Sequence, residues 1–509
     1  MNKKNIFLNL VILVLLASFV VLPLLVSCTD NIESDTDTDK NTGNSEGENA
    51  ENIDNPATDP MILPDIPIEM DYGGRDFTFL TRTVTSNRAV WIDWDHRDIY
   101  AEGQNGDRIN DSVYSRNKKI ENDYNINIKE VTTDNWLADI RRAINADIPD
   151  YDVVMPRLWD CVTLAQDGLF YDLYDVPHID LAKPWWSQIA VRELSIANRL
   201  YFVQGDLLIL DNDSVSAMIF NKKIREENEL ENPYALVKEG KWTLDKLFSM
   251  SKGIAKDLNG DGTMYIRDDL FGCITQLDTN LAFFYGAGCR IIEKDSDDLP
   301  VDVFENSKSY EVLEKIYYFM TDSDNVVILH KYLGEFGIYD EQKKMILENR
   351  ALFSWIRLRV VEELRGMEAD FGIIPQPKYD ESQPDYISPI NVHTSTVICV
   401  PNSAPDFECA GIILEALSAE SKYSLQPAYY DINLYGKFIR DDESREMLEI
   451  ILGNTMYDIS EIYNFGGFTD TIARFPVDDK SSYVSAYEQR IKIIQQGIDK
   501  MVENYKSFD

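Results

Sequence analysis

Strand and helix signals alternate along most of this sequence, and that alternation predicts an α/β fold with parallel crossovers. Three observations carry the prediction. Residues 76–80 and 126–131 read as strands, the second with apolar–polar alternation. Val113, Asn117, Ile120 and Tyr124, then Trp136, Leu137, Ile140, Ala143 and Ile144, recur at helical spacing. Residues 151–155 form a short apolar run of the kind buried on both faces of a sheet.

The elements follow in order. Lys3 and Lys4 precede an apolar stretch over 6–26 that ends in Leu25, Val26, Ser27 and Cys28, the pattern of a secretory signal over 1–27. Residues 28–67 are rich in Asp, Glu, Asn, Ser, Thr and Gly, with almost no large apolar group before Met61. Such a segment buries too little surface to offset its ordering entropy, so it reads as a solvated tether. The chain beyond it is long enough for two domains.

After the first strand, Asn110 or Asp111 is placed to cap a helix. The loop over 156–160 leaves the carboxyl end of the strand at 151–155, where ligands gather in α/β sheets. A second lobe begins after the strand at 217–221. There Thr243 caps a helix with Leu244, Leu247, Phe248, Ile254 and Ala255 on one face. Further elements are "FFYGAG" (283–288), a helix over 310–320, "ALFSWIRLR" (351–359) and "DFGIIPQPKYD" (370–380). A strand over 396–400 leads into a helix over 407–418, and Ile491, Ile493, Ile494, Ile498 and Met501 stripe the C-terminal helix. No internal repeat is visible.

Composition narrows function. With 88 acidic against 49 basic residues and a formal charge of −39, the chain lacks the basic footprint that nucleic acid or anionic lipid requires. Six cysteines are scattered without Cys-x-x-Cys pairs, which supports neither zinc ligation nor a disulfide framework and leaves one disulfide open. Four histidines show no metalloprotease or nucleophile-elbow spacing, and there is no phosphate-cradling glycine loop. Nothing announces catalysis.

One loop carries metal-like spacing. Asp257, Asn259 and Asp261 alternate, Gly262 permits a sharp turn, Thr263 offers its carbonyl, and Asp268 stands at the twelfth position. This reads as a single structural calcium site, with an ion-free acidic turn as the other reading. Position 12 departs from the usual glutamate.

The ordered set "LVSC", "DYDVVMPRLWDCVTLAQDGLFYDL", "AMIFNKKIREENELENPYALVKEGKWTLDKL" and "ADFGIIPQPKYD" resembles the family 1 extracellular solute-binding proteins of ABC importers, of the maltose-binding type and in the version found in Gram-positive bacteria. That resemblance implies a two-lobed, type II periplasmic-binding-protein-like fold with hinge crossovers. Lobe one would be 72–215 plus 395–440, and lobe two 216–394 plus 441–509. It implies lipidation of Cys28, and a monomer tethered at the extracellular face of the membrane. It further implies capture of a solute, a carbohydrate or oligosaccharide, for an ABC permease, without enzymatic activity.

"YDVVMP" followed by "AQDGLF" resembles the family segment whose intervening loop contacts ligand, which places Arg157, Trp159 and Asp160 there. "ALFSWIRL" resembles the segment that sets a tryptophan over the sugar, giving Trp355 with Arg357 as the opposing wall. Aromatic faces beside planar polar groups suit sugar rings edged by hydroxyls. Tyr285, Asp211 with Asn212, and Asn391 with His393 are further candidates. Trp185 and Trp186 read as structural; Trp91 and Trp94 lie in a loop that could cover a cleft. A surface glycoside hydrolase, needing an Asp/Glu pair at defined separation, and a binding subunit serving a membrane sensor are the rival readings.

Overall fold

The computed structural model describes residues 61–68, 70–83, 96–364, 370–430 and 442–508. Cys28, the signal and most of the tether, and Trp91 and Trp94 lie outside the described residues. Among those described, no helix is long and apolar enough to cross a membrane.

The first sheet is parallel, in the order β2-β1-β3, with β1 at Arg75–Arg82, β2 at Ile126–Thr133 and β3 at Val153–Val154. Phe77 and Phe79 on β1 are fully buried, and β2 buries Ile126 and Ile128 while Asn127 and Lys129 face out. The crossover helix Arg108–Tyr124 buries Ile109, Val113, Arg116, Asn117, Ile120 and Tyr124, one face at three- and four-residue steps. Its cap is Asp107, whose carboxylate accepts the Asn110 N–H at 3.1 Å, not Asn110 or Asp111 as expected. Asp111 instead accepts the N–H of Asn105 at 2.8 Å, so it is spent on the turn before the helix.

The second sheet runs β10-β4-β9-β5-β8, with β4 at Ser216–Asn221, β5 at Phe271–Thr275, β8 at Val326–Ile328, β9 at Ala351–Arg357 and β10 at Phe371–Ile374, while β6 (Ile292–Lys294) and β7 (Pro300–Asp302) form a separate antiparallel pair. β4 pairs antiparallel with both β9 and β10, while β5 pairs parallel with β9 and β8. All seven residues of β9 are buried, as expected for a central strand covered on both faces.

A narrow ribbon joins the sheets. Val215 bridges Ile390, and β11 (Ser388–Pro389) pairs parallel with β12 (Thr455–Met456). The Asn391 N–H donates to Ser214 O and the Leu358 N–H to Val215 O, each at 3.0 Å. Beside this ribbon the Asp213 carboxylate, nearly inaccessible, accepts from Tyr429 Oη at 2.8 Å and lies 3.3 Å from both Arg97 and Arg359. Glu362 completes the ring, 2.9 Å from Arg97 and 3.2 Å from Arg359.

From the ribbon the chain returns to the first sheet, where Cys399 and Val154 exchange N–H···O bonds of 3.0 Å in each direction. The expected strand at 396–400 is thus present as isolated bridges. The helix Phe407–Tyr423 follows. Its Glu415 is fully buried, accepting the Trp186 indole N–H at 2.8 Å and the Asp180 N–H at 3.4 Å. Burial pushes this carboxyl up to about 7, against the pull of the Trp186 and Trp185 indoles. Both tryptophans are core residues. Gly205 packs so closely on them that a Cβ would sit 2.4 Å from Trp185 O.

The last helix, Ile491–Ser507, buries Ile494, Ile498, Met501 and Tyr505, whereas Ile491 and Ile493 face outward. Tyr505 meets the Tyr201 ring at 4.8 Å, and Asn504 donates to Gln166 O at 3.3 Å. This helix therefore packs on elements of the first-sheet side. Phe468–Arg474 packs instead beside Thr279–Gly286, where Asn280 donates to Ile472 O.

Candidate ligand-binding site

A cavity of about 400 Å³ lies between the elements that carry the two sheets. One wall is the start of the helix Leu158–Gln166, which follows β3 after a short turn. Of the expected loop at 156–160, residues 158–160 open that helix, and Arg157 is its extended N-cap, bridged to Thr396. Its opening N–H groups are satisfied by the returning chain: Leu158 N donates to Ser395 O at 3.0 Å and Trp159 N to Val392 O at 3.1 Å. Trp159 is half-buried and lines the cavity, its ring 4.7 Å from that of His393 at an interplanar angle of 44°.

Arg157 also lines the cavity. Its Nε and Nη2 reach Asp160 Oδ2 and Oδ1 at 2.8 and 3.0 Å, and the Trp136 indole N–H donates to Asp160 Oδ2 at 3.0 Å. Asp160 therefore stands behind Arg157 and fixes its fork in place.

The opposite wall comes from the second sheet. Asp278 lies just beyond β5; its Oδ2 accepts from Asn391 Nδ2 at 2.9 Å and is 3.5 Å from Arg357 Nη1. Arg357 ends β9, with its guanidinium 5.9 Å from the Tyr339 ring and 5.7 Å from the Trp355 ring. His330 accepts the Leu277 N–H on Nδ1 at 3.0 Å, which assigns its proton to Nε2. Burial lowers the pKa of both His330 and His393, so neither needs to carry charge at neutral pH. Burial pushes the Tyr339 phenol up to about 12. Asp470 and Arg474, from Phe468–Arg474, complete the lining.

Each arginine of the lining has a carboxylate near it: Arg157 with Asp160, Arg357 with Asp278, and Arg474 with Asp478 at 3.9 Å. Aromatic faces, neutral imidazoles and paired charges make a site for an uncharged polar molecule. Besides a cavity of about 470 Å³ around Phe248 and Tyr318, two larger cavities, of about 790 and 770 Å³, share Arg192 and Arg290. In the first of these the charged side chains pair with one another, Lys294 with Asp298 and Arg290 with Glu193, and neither has the facing aromatic walls.

The expected residues divide accordingly. Arg157, Trp159, Arg357 and His393 reach the cavity; Asp160 and Asn391 stand behind it and hold Arg157 and Asp278. Trp355 is fully buried two residues before Arg357 and lies beneath that guanidinium, off the cavity lining, so it does not form the facing wall. Tyr285 is buried within the helix Thr279–Gly286, all eight residues of which are inaccessible. Asp211 sits in the short helix Leu210–Asp213, half-buried, accepting the Asn212 N–H at 2.8 Å, and burial raises its pKa. It does not line the cavity. Asp278, His330 and Tyr339 were not anticipated. The first two closely follow β5 and β8, so the strand-end rule could have found them; Tyr339 carries no such signal.

The acidic loop folds on its own backbone. Asp257 accepts the N–H groups of Gly260 and Gly262 at 2.6 and 2.8 Å, Asn259 that of Asp261 at 2.9 Å, and Asp261 that of Thr263 at 2.8 Å. Gly262 has φ +85°, the left-handed turn anticipated there. Asp268 is exposed, and it is the fully buried Asp269 that turns inward to accept from Leu258 and Tyr265 at 2.8 and 2.7 Å. Among the described residues no group of three or more His, Cys, Asp or Glu side chains is placed to hold a metal ion.

The sequence matches no family model and is similar to no curated protein. Solved structures do resemble it. A cyclo/maltodextrin-binding protein complexed with maltotetraose superimposes with a TM-score of 0.56 at 12% identity, covering 83% of this chain and 97% of that one. An ABC substrate-binding protein from Listeria monocytogenes in complex with cycloalternan gives 0.52 at 11%, covering 85% and 99%. The GacH receptor of Streptomyces glaucescens, known unliganded and with acarbose, gives 0.52 at 11%, covering 86% and 100%. At such identities the likeness is one of architecture: this chain has the two-lobed α/β fold of these solute-binding proteins.

Proposed function

We propose that this protein captures a neutral carbohydrate between its two lobes and presents it to an ABC importer. The observation that carries the reading is the cavity itself. Trp159, tilted against His393, faces Asp278, Arg357, His330 and Tyr339, each held by a named partner. A sugar ring would lay its apolar C–H face on Trp159 and set its hydroxyls between the Asp278 carboxylate and the donors of Arg357 and His330. Bending at the ribbon would close the walls, exclude water and shift the population toward the liganded form. The solved relatives with this fold are described with maltotetraose, cycloalternan or acarbose, which supports a carbohydrate here. No covalent step is required, so we assign no enzymatic activity.

Delivery is read from the sequence: export by the signal over 1–27, lipidation of Cys28, and an acidic tether over 28–67 holding a monomer at the extracellular face. Lobe one is assigned 72–215 and 395–440, and lobe two 216–394 with 441–490. The helix Ile491–Ser507 goes with lobe one on its contacts to Tyr201 and Gln166. The calcium proposal for Asp257, Asn259, Asp261, Thr263 and Asp268 rests on the sequence pattern alone. In a calcium titration, a rise in melting temperature lost in Asp261→Ala would place an ion there; no rise leaves a hydrogen-bonded turn.

The test of function is thermal stability of the chain from Met61 onward against a panel of mono- and oligosaccharides. A ligand that binds only the folded form raises the melting temperature by mass action. A shift with one sugar class, lost in Trp159→Ala, is the expected result. A shift with peptides or charged metabolites and none with sugars would overturn the substrate class.

A further inference from the structure

Cys161 and Cys399 lie far apart in sequence, yet their Sγ atoms are 3.7 Å apart and both residues are fully buried. Cys161 is in the helix Leu158–Gln166; Cys399 is in the returning chain, pinned by its two backbone hydrogen bonds to Val154. Cys273, Cys289 and Cys409 are also buried, and none has a sulfur neighbour among the described residues. We propose that Cys161 and Cys399 form an intramolecular disulfide when the chain folds in the presence of a low-molecular-weight disulfide oxidant.

Among the described cysteines the geometry favours this pair alone. The sulfurs must approach by about 1.7 Å to reach bonding distance. The chemistry balances in two exchanges. One thiolate attacks the oxidant's disulfide, forming a mixed disulfide and releasing one small thiol. The second cysteine, as thiolate, then attacks the protein sulfur of that mixed disulfide, forming the Cys161–Cys399 bond and releasing the second small thiol. Two protein thiols are oxidised and one small disulfide is reduced to two thiols.

Both groups are inaccessible in the folded chain, and burial raises the Cys161 thiol well above its usual range. The exchange therefore belongs to folding, before the helix docks. The bond joins the helix that carries Trp159 to the segment that carries His393, so it would fix from behind the two rings paired at the cavity.

The test uses the full chain, denatured and refolded either in mixed reduced and oxidised glutathione or in dithiothreitol. Unfolding with an alkylating agent, intact mass and peptide mapping then follow. The expected result after oxidative refolding is two fewer alkylated cysteines, a linked peptide pair containing Cys161 and Cys399, and a higher melting temperature that reverts with dithiothreitol. Cys161→Ala and Cys399→Ala should each remove the linked pair and the reductant dependence. Wild-type protein that regains its native circular dichroism in the glutathione mixture with every cysteine alkylated would overturn the proposal. So would a linked pair formed by any other two cysteines. Because the mass measurement is made on unmutated protein, a variant that fails to fold does not blunt it.

Discussion

Replacing Glu415 by Gln isolates the cost of keeping a carboxyl in the core of the first-sheet side. Carrying the group from its ordinary 4.5 up to about 7 corresponds to about 3 kcal/mol between the two protonation states. Below pH 4.5 the folded and unfolded chains both hold the proton. Between pH 4.5 and 7 only the folded chain holds it, so stability falls as pH rises, and the contribution is lost once pH passes the folded value. Glutamine keeps an oxygen for the Trp186 indole, now 2.8 Å from the carboxylate, and never ionises. Glu415→Gln is therefore expected to be about 2–3 kcal/mol more stable than the parent at pH 8 and nearly equal to it at pH 4.5. Urea unfolding of both proteins at the two pH values measures this directly, because other titrating groups cancel in the difference. An equal change at both pH values, or a variant less stable at pH 8, would refute the reasoning.

Asp213→Asn leaves Glu362 as the carboxylate that Arg97 and Arg359 share among the described residues. With both arginines partly exposed, the loss is expected to be about 2 kcal/mol in urea unfolding, below the cost of breaking a fully buried pair. Trp159→Ala removes the exposed stacking face and should weaken sugar binding by about tenfold, read by calorimetry, with the far-ultraviolet spectrum unchanged. Trp355→Phe should do the reverse: affinity within about twofold of the parent, and stability lower by about 1–2 kcal/mol from the shrunken core.

Sequence periodicity reached the sheets because each strand's burial follows from its own residues. β1, β4 and β9 fall on apolar-rich stretches of strand length, and β2 on apolar–polar alternation. Resemblance placed Arg157 and Trp159 at the cavity because they sit at the end of β3, a position fixed by topology. It failed for Trp355 because alternate residues of a strand share a face, and that face runs from the core to the cavity along β9. Only Arg357, at the strand's end, reaches the cavity. Tyr285, a candidate for the cleft, lies instead in the buried helix that the first four residues of "FFYGAG" end. Asp470 and Arg474 reach the cavity through packing between segments distant in the chain, which no local pattern encodes.

The ribbon at Val215, Ile390 and Met456 has a mechanical consequence. Three chain segments tied edge to edge by Ile390 N–H to Met456 O at 3.0 Å and by the Val215–Ile390 bridge behave as a leaf spring. Such a strip flexes easily across its thin dimension, but shear in its own plane would break the backbone hydrogen bonds that tie its leaves. Relative motion of the two walls should therefore follow a single soft coordinate. Distances between several pairs of labels, one on each wall, should rise and fall together as functions of one angle.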